Sequence, residues 1–146
     1  VGLAAILHDY AKGMDQESMM LLIQASKYPN KILKWNPVVW HGFVAAYLMK
    51  EKYKINDQDV LDAIAYHTTG HKSMNDLAKI VYLADMTEKG RDFPGVEDIR
   101  KLSFENLDEA MLFAVKITLQ HLLEDEETIA PYTIGLYNAL LNLKKD

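Results

Sequence analysis

Five residues of this chain combine metal-binding side chains with positions on otherwise apolar helical segments: His8, Asp9, His41, His67 and Asp85. His8 and Asp9 stand side by side after Ala4-Ala5-Ile6-Leu7, a run of small and branched apolar residues that reads as a buried helix. Burying an ionised carboxylate without a partner is costly, so Asp9 requires a cation nearby. Asp85 follows Ile80-Val81-Tyr82-Leu83-Ala84, which offers it no partner in its own helix. Imidazoles and carboxylates brought from several helices to one interior are what a metal site in a bundle core needs. Nitrogen and oxygen ligands without sulfur suit iron, manganese, zinc or magnesium. A carboxylate has two oxygens with separate lone pairs, so Asp9 can bridge two ions, and two neighbouring ions can clamp the oxygens of a phosphoryl group. Each histidine taken alone is more often a hydrogen-bonded core residue than a ligand; the combination is what points to metal.

The elements that must position these residues are helical throughout. The first helix is expected to run to about Lys12, with Gly13 as its stop. Asp15 caps a second segment from Gln16 to about Lys27, closed by Tyr28-Pro29. Asn36-Pro37 is a start signal for a helix to about Tyr53 whose inward face reads Val38, His41, Ala45, Leu48 and Met49. Asn56 opens a helix with Val60, Ile64 and His67 on one face, and Ser73 is expected to cap the next, where Leu77, Val81, Ala84 and Asp85 share a side. A short helix over Val96 to Leu102 follows the Phe93-Pro94-Gly95 loop. Asn106 with Glu109 forms a capping box for a long helix to about Glu124, and Pro131 begins the last, ending near Lys144. No stretch alternates as a strand does and nothing repeats. The expected fold class is all-α, a compact helical bundle.

With 146 residues, 49% of them hydrophobic, the chain suits one domain, spanning residues 1–146, with one core. Sixteen basic residues against 21 acidic ones leave a net charge of -5, which argues against a general affinity for nucleic-acid backbones. The absence of cysteine removes disulfides, thiolate zinc sites and cysteine nucleophiles, and is compatible with the expected cytoplasmic location. No apolar run reaches the ~18–20 residues of a membrane helix, and no basic n-region or cleavage site of a secretory signal is visible. Val1-Gly2-Leu3 reads as the inside of a helix without a cap, so residues upstream are expected to be absent from this chain.

His8-Asp9 followed by Lys12, then His41-Gly42, then Tyr66-His67-Thr68-Thr69-Gly70, then Ala84-Asp85 with Glu88, Gly90, Arg91, Phe93, Pro94 and Gly95, resembles the HD-domain phosphohydrolases. More narrowly, it resembles their YqeK-type branch. The bare His-Asp pair is a weak signal; the four segments in this order, with the Phe-Pro-Gly loop, are a strong one.

The resemblance implies symmetrical hydrolysis of diadenosine tetraphosphate to two ADP with two divalent metal ions, iron first among iron, manganese, zinc and magnesium. It assigns His8, Asp9 and Asp85 to one ion and His41 and His67 to the other, with Asp9 bridging. A metal-activated water would attack a phosphorus in line. Asp9, Lys12 and Arg91 would be catalytic, and Lys12, Thr68, Thr69, Gly70 and Arg91 would bind substrate. Lysine supplies a compact charge and arginine a planar fork for developing oxyanion charge. The bland alternatives are a helix-dipole partner for Lys12, a solvated charge for Arg91 and a helix-ending turn for the threonines. The implied partner is a small dinucleoside polyphosphate, with no nucleic acid and no membrane; a homodimer is the expected assembly.

The branch also implies a histidine ligand on a helix before His8, which this chain does not contain. That departure motivates a rival reading: a degenerate HD domain that binds a nucleotide or a protein without hydrolysis. A third reading keeps the enzyme class and changes the substrate to a nucleoside monophosphate or cyclic nucleotide. Lys89 stands where the branch usually has proline, and His71, where a basic residue is frequent, is expected in an exposed loop. His121 is expected to be structural or exposed, and Glu124-Asp125-Glu126-Glu127 to be a solvated cluster without the spacing of a calcium loop. One face among Trp35, Trp40 and the tyrosines is expected to stack on adenine.

Overall fold

The segment Trp40–Glu51 buries Trp40, Phe43, Val44, Ala45, Ala46 and Met49, and a helix that is apolar nearly all round must be surrounded by others. The structure, a computed structural model, describes residues 2–145. In chain order its helices are α1 (Gly2–Leu7), α2 (Gln16–Ala25), α3 (Trp40–Glu51), α4 (Gln58–Ala65), α5 (Asp76–Met86), α6 (Val96–Glu105), α7 (Leu107–Glu124) and α8 (Pro131–Lys145). Short 3-10 helices occupy Asn30–Lys34 and Pro37–Val39, and the described residues contain no strand. The all-α expectation therefore holds. α2 and α4 pack on α3, α5 packs on α4 and α7, α6 and α8 pack on α7, and α1 lies on α4 and α5. No helix among the described residues is long and apolar enough to cross a membrane.

Small residues let the central pair approach closely. Gly42, Ala45 and Ala46 of α3 are buried, as are Ala63 and Ala65 of α4. Caps fix where helices begin: Asp15 accepts from the Ser18 amide, Asn36 from that of Val38 and Asn106 from that of Glu109. Such a cap contributes about 1 kcal/mol, so Asn106→Ala is expected to lower the melting temperature by roughly 2–4 °C in a thermal scan.

Several boundaries differ from the sequence expectation. α1 ends at Leu7, not near Lys12. The His8 ring nitrogen Nδ1 donates to the Ala5 carbonyl at 2.6 Å, taking the acceptor that the Asp9 amide would use in a continued helix. The chain then turns tightly, with Tyr10 N–H on Leu7 O and Lys12 N–H on Asp9 O, both at 3.0 Å. Pro37–Val39 is a separate 3-10 turn ahead of α3, and Val38 is 66% exposed rather than inward. Asp57, not Asn56, caps α4, which stops at Ala65 and leaves His67 in the following turn. Asn75, not Ser73, caps α5. Its carbonyl oxygen accepts from the Ala78 amide at 2.8 Å while its amide donates to Asp59 on α4 at 3.0 Å, a tertiary link that Ser73 lacks. Ala84 is exposed, so it does not share the inward side with Val81.

Candidate active site

Three rings follow one local rule. Each histidine donates Nδ1–H to the carbonyl three residues earlier: His8 to Ala5 at 2.6 Å, His41 to Val38 at 3.0 Å and His67 to Ile64 at 2.7 Å. These bonds set the tautomer and turn each Nε2 toward a common point. α1, the start of α3 and the end of α4 thus deliver three imidazoles to one place, because α1 and α3 both pack on α4.

Asp9 stands among them with its two oxygens facing different neighbours. Oδ1 lies 3.6 Å from Nε2 of His41 and 3.6 Å from Nε2 of His67. Oδ2 lies 3.4 Å from Nε2 of His8, which is itself 3.3 Å from Oδ1 of Asp85. His8, Asp9 and His67 alone form a group able to hold a metal ion.

The electrostatics divide the cluster in two. Burial lowers the His67 pKa to about 4 and also lowers that of His41, so both rings are neutral at pH 7. With Nδ1–H committed to carbonyls, their Nε2 lone pairs face each other at 3.0 Å. Two acceptors at that distance repel, and a cation bound by both relieves the repulsion. On the other side, the hydrogen bond to Asp85 raises the His8 pKa against the opposing effect of burial. Burial pushes the Asp85 carboxyl up, but the His8 hydrogen bond, with the neighbouring imidazoles and the Arg91 guanidinium, outweighs it and holds the pKa below the usual value. Asp85 also sits in the last turn of α5, where the helix dipole is unfavourable to an anion. The donor set therefore fits divalent cations: the bare imidazole nitrogens of His41 and His67 beside the Asp9 carboxylate, with Asp85 partly balanced by Arg91 at 3.9 Å.

Around this cluster the remaining candidates separate. Arg91 brings Nη2 to 3.9 Å from Asp85 and donates from Nε to Glu88 at 3.2 Å. Lys12, Arg91 and Thr68 line a cavity of about 260 Å³ together with Asp9, His41 and Asp85. Thr69 and Gly70 do not line it. Thr69 is fully buried; its hydroxyl donates to Gly70 O at 2.9 Å, and its carbonyl accepts from Thr133 at 2.8 Å. Gly70 has φ +73° and lies against Leu136, with its amide committed to Tyr66 O at 2.8 Å. Their placement differs from the expectation that they contact phosphate: within the turn after α4, Thr68 faces the cavity while Thr69 and Gly70 pack toward α8.

Among the described residues, no tryptophan, tyrosine or phenylalanine lines this cavity. Trp40 is buried with its indole N–H on Ile32 O at 2.9 Å, and Trp35 packs edge-on to Tyr132 and Phe43. The cavity walls are aliphatic instead: Val38, Val39, Leu122 and Ala130, with hydroxyls from Thr118, Thr128 and Thr133. Thr118 and Leu122 stand four residues apart on α7, a spacing that puts them on one face but does not mark them as functional. A second cavity of about 410 Å³ shares Lys12, Asn36, Val38 and His41 and extends toward Gln16, Met19 and Pro37. His71 is half-buried, stacked on Tyr66 at 4.6 Å, and His121 is exposed.

Comparison with known proteins places this geometry. The family model described as "HD domain" matches residues 1–90. The chain is 41% identical over 140 residues to "Bis(5'-nucleosyl)-tetraphosphatase, symmetrical" of Bacillus subtilis (strain 168), covering 96% of this chain and 75% of that protein. It is 36% identical over 140 residues to the protein of the same name from Staphylococcus aureus (strain NCTC 8325 / PS 47), covering 94% and 72%. Among solved structures, a predicted HD superfamily hydrolase involved in NAD metabolism from Clostridium acetobutylicum superposes with a TM-score of 0.90 at 33% identity, covering 97% of this chain and 75% of that one. The chain belongs to the HD domain family, in its branch of symmetrical bis(5'-nucleosyl)-tetraphosphatases.

Proposed function

We propose that this protein is a metal-dependent hydrolase that cleaves diadenosine tetraphosphate symmetrically into two ADP. The observation that carries the reading is the division of Asp9, whose Oδ1 faces His41 and His67 while Oδ2 faces His8. On this reading His8, Asp9 and Asp85 hold one divalent ion and His41 and His67 the other, with Asp9 shared. Iron is the first candidate, and manganese, zinc and magnesium suit the same donors. When bound, such ions lower the pKa of water and neutralise phosphoryl charge.

The chain's own residues account for the rest. Arg91 presents a planar fork and Lys12 a point charge to the cavity, both suited to non-bridging phosphate oxygens whose charge grows during reaction. Thr68 adds a hydroxyl at the same wall. A water oxygen bonds to one central phosphorus, one of its protons passing to solvent, and the bond from that phosphorus to the central bridging oxygen breaks. The bridging oxygen stays with the second ADP. The departing terminal phosphate has a second pKa of about 6, so it leaves without needing a protonated donor. The two cavities that meet at Lys12, Asn36, Val38 and His41 suit the two nucleoside halves.

The test is product analysis after adding iron or manganese to the purified protein with diadenosine tetraphosphate. Two ADP per substrate are expected. ATP plus AMP would overturn the symmetrical claim, and turnover of nucleoside monophosphates alone would move the substrate. A protein that retains no metal and turns over nothing would be the degenerate binding domain.

A further inference from the structure

Arg100 belongs to no segment that the site draws on, yet its guanidinium donates to three backbone carbonyls, those of Thr87, Glu88 and Arg91. From α6 its Nε donates to Thr87 O at 3.2 Å. Its Nη2 donates to Thr87 O at 3.1 Å, Glu88 O at 3.4 Å and Arg91 O at 3.2 Å, and its Nη1 pairs with Glu97. Thr87 is the C-cap of α5, so one guanidinium gathers carbonyls that α5 leaves without helical donors and the carbonyl of Arg91 itself.

We propose that Arg100 is a positioning residue for the reaction: it clamps the turn 87–91 and thereby aims Arg91 at the cluster. The proposal rests on the reading of Arg91 as a phosphate ligand in a phosphohydrolase site. At its start the turn is tied to α5 by the Thr87 amide and hydroxyl on Leu83 O, at 2.9 and 2.7 Å. Within it, Arg91 N–H reaches Glu88 O at 3.0 Å and the Arg91 side chain reaches Glu88, both contacts inside the same loop. Beyond it, the chain is pinned at Gly95, where φ is +99° and an added Cβ would meet Ile117 at 2.9 Å and Phe113 at 3.0 Å. The Thr87 hydroxyl bond, the Arg91–Asp85 approach at 3.9 Å and the packing of Phe93 on the core also bear on this stretch. Arg100 is the group that ties the carbonyls of Thr87, Glu88 and Arg91 together from another helix. A planar fork suits the task because it spans several carbonyls at once, which a lysine ammonium on a flexible stem does less well.

The experiment is a double-mutant cycle on kcat/KM for diadenosine tetraphosphate with Arg91→Ala, Arg100→Ala and both, alongside Arg100→Lys. If Arg100 acts through Arg91, Arg100→Ala loses about thirtyfold, of the size expected when a group is misplaced by a fraction of an ångström, and the double variant is no worse than Arg91→Ala within about twofold. Arg100→Lys should recover part of the loss. Losses that multiply, or an Arg100→Ala enzyme within about twofold of the unaltered protein, would overturn the proposal, since distant independent sites add within ~0.5 kcal/mol, or about twofold. Amide hydrogen exchange supplies a readout that needs no substrate: the Arg91 amide should exchange about tenfold faster in Arg100→Ala while core amides of α3 stay protected. An unchanged Arg91 amide would sink the clamp. Should the unaltered protein fail to hydrolyse the tetraphosphate, the proposed function falls, and the exchange result by itself decides whether Arg100 holds the turn.

Discussion

Asp9→Asn is expected to remove most of the activity, with kcat falling about a thousandfold or more, equivalent to roughly 4 kcal/mol of barrier. The substitution keeps the shape of the side chain and changes two things. It removes a negative charge from a point where three imidazoles converge, and it replaces one ligand oxygen by an NH2 group that has no lone pair to offer. Because Oδ1 faces His41 and His67 at 3.6 Å and Oδ2 faces His8 at 3.4 Å, whichever way the amide turns it spoils one half of the cluster. Metal content by elemental analysis should fall together with turnover. Thermal scans give a second readout. A ligand present at a hundredfold excess over its Kd stabilises a fold by ~2.7 kcal/mol, so added metal should raise the melting temperature of the unaltered protein by roughly 5–10 °C and leave Asp9→Asn almost unmoved. An Asp9→Asn protein that still gains stability from metal and still hydrolyses substrate would show that Asp9 is not the shared ligand.

Gly42→Ala should be nearly as damaging, by way of the backbone. A Cβ at residue 42 would lie 2.7 Å from Ala65 O, 3.0 Å from Ile64 O and 3.2 Å from His67 Nδ1. Two of these are carbonyls at the end of α4, which cannot rotate away. Ile64 O is also the acceptor that orients His67. The methyl must push α3 from α4 or displace the His67 ring. Overpacking of this kind costs about 1–3 kcal/mol, and for a chain of this size each kcal/mol lowers the melting temperature by roughly 2–4 °C. Turnover should fall about a hundredfold, since His41 and His67 sit on the two surfaces being separated and a misplacement near 1 Å costs that much. Gly13→Ala is the control: nothing lies within 4 Å of its Cβ, and both stability and turnover should stay unchanged. A Gly42→Ala protein with unaltered melting temperature would show that the helices part without strain.

The two substitutions show how far local pattern reaches. The caps at Asp15, Asn36 and Asn106 were legible because a cap is an interaction between residues two or three apart. The end of α1 was not, because His8 competes for the Ala5 carbonyl only when its ring has somewhere to point, and that destination lies on α4 and α5. Asn75 outranks Ser73 as a cap for the same reason, through its bond to Asp59 on another helix. Thr69 and Gly70 belong to a motif that reads as a polar turn, yet the approach of α8 buries them. Trp35 and Trp40 were plausible base-stacking partners by type, but both are consumed by packing around Phe43 and Ile32.

By itself the sequence determined the all-α architecture, the main helices and the short list His8, Asp9, His41, His67 and Asp85, because apolar periodicity and residue chemistry are local properties. Only the tertiary structure decided that Asp9 divides its oxygens between two sets of imidazoles, that the cavity walls are aliphatic, and that Arg100 holds the turn bearing Arg91. Those bring together residues as much as 124 positions apart, Asp9 and Thr133 on the walls of one cavity, and no short-range preference specifies which distant partners the packed helices will bring together.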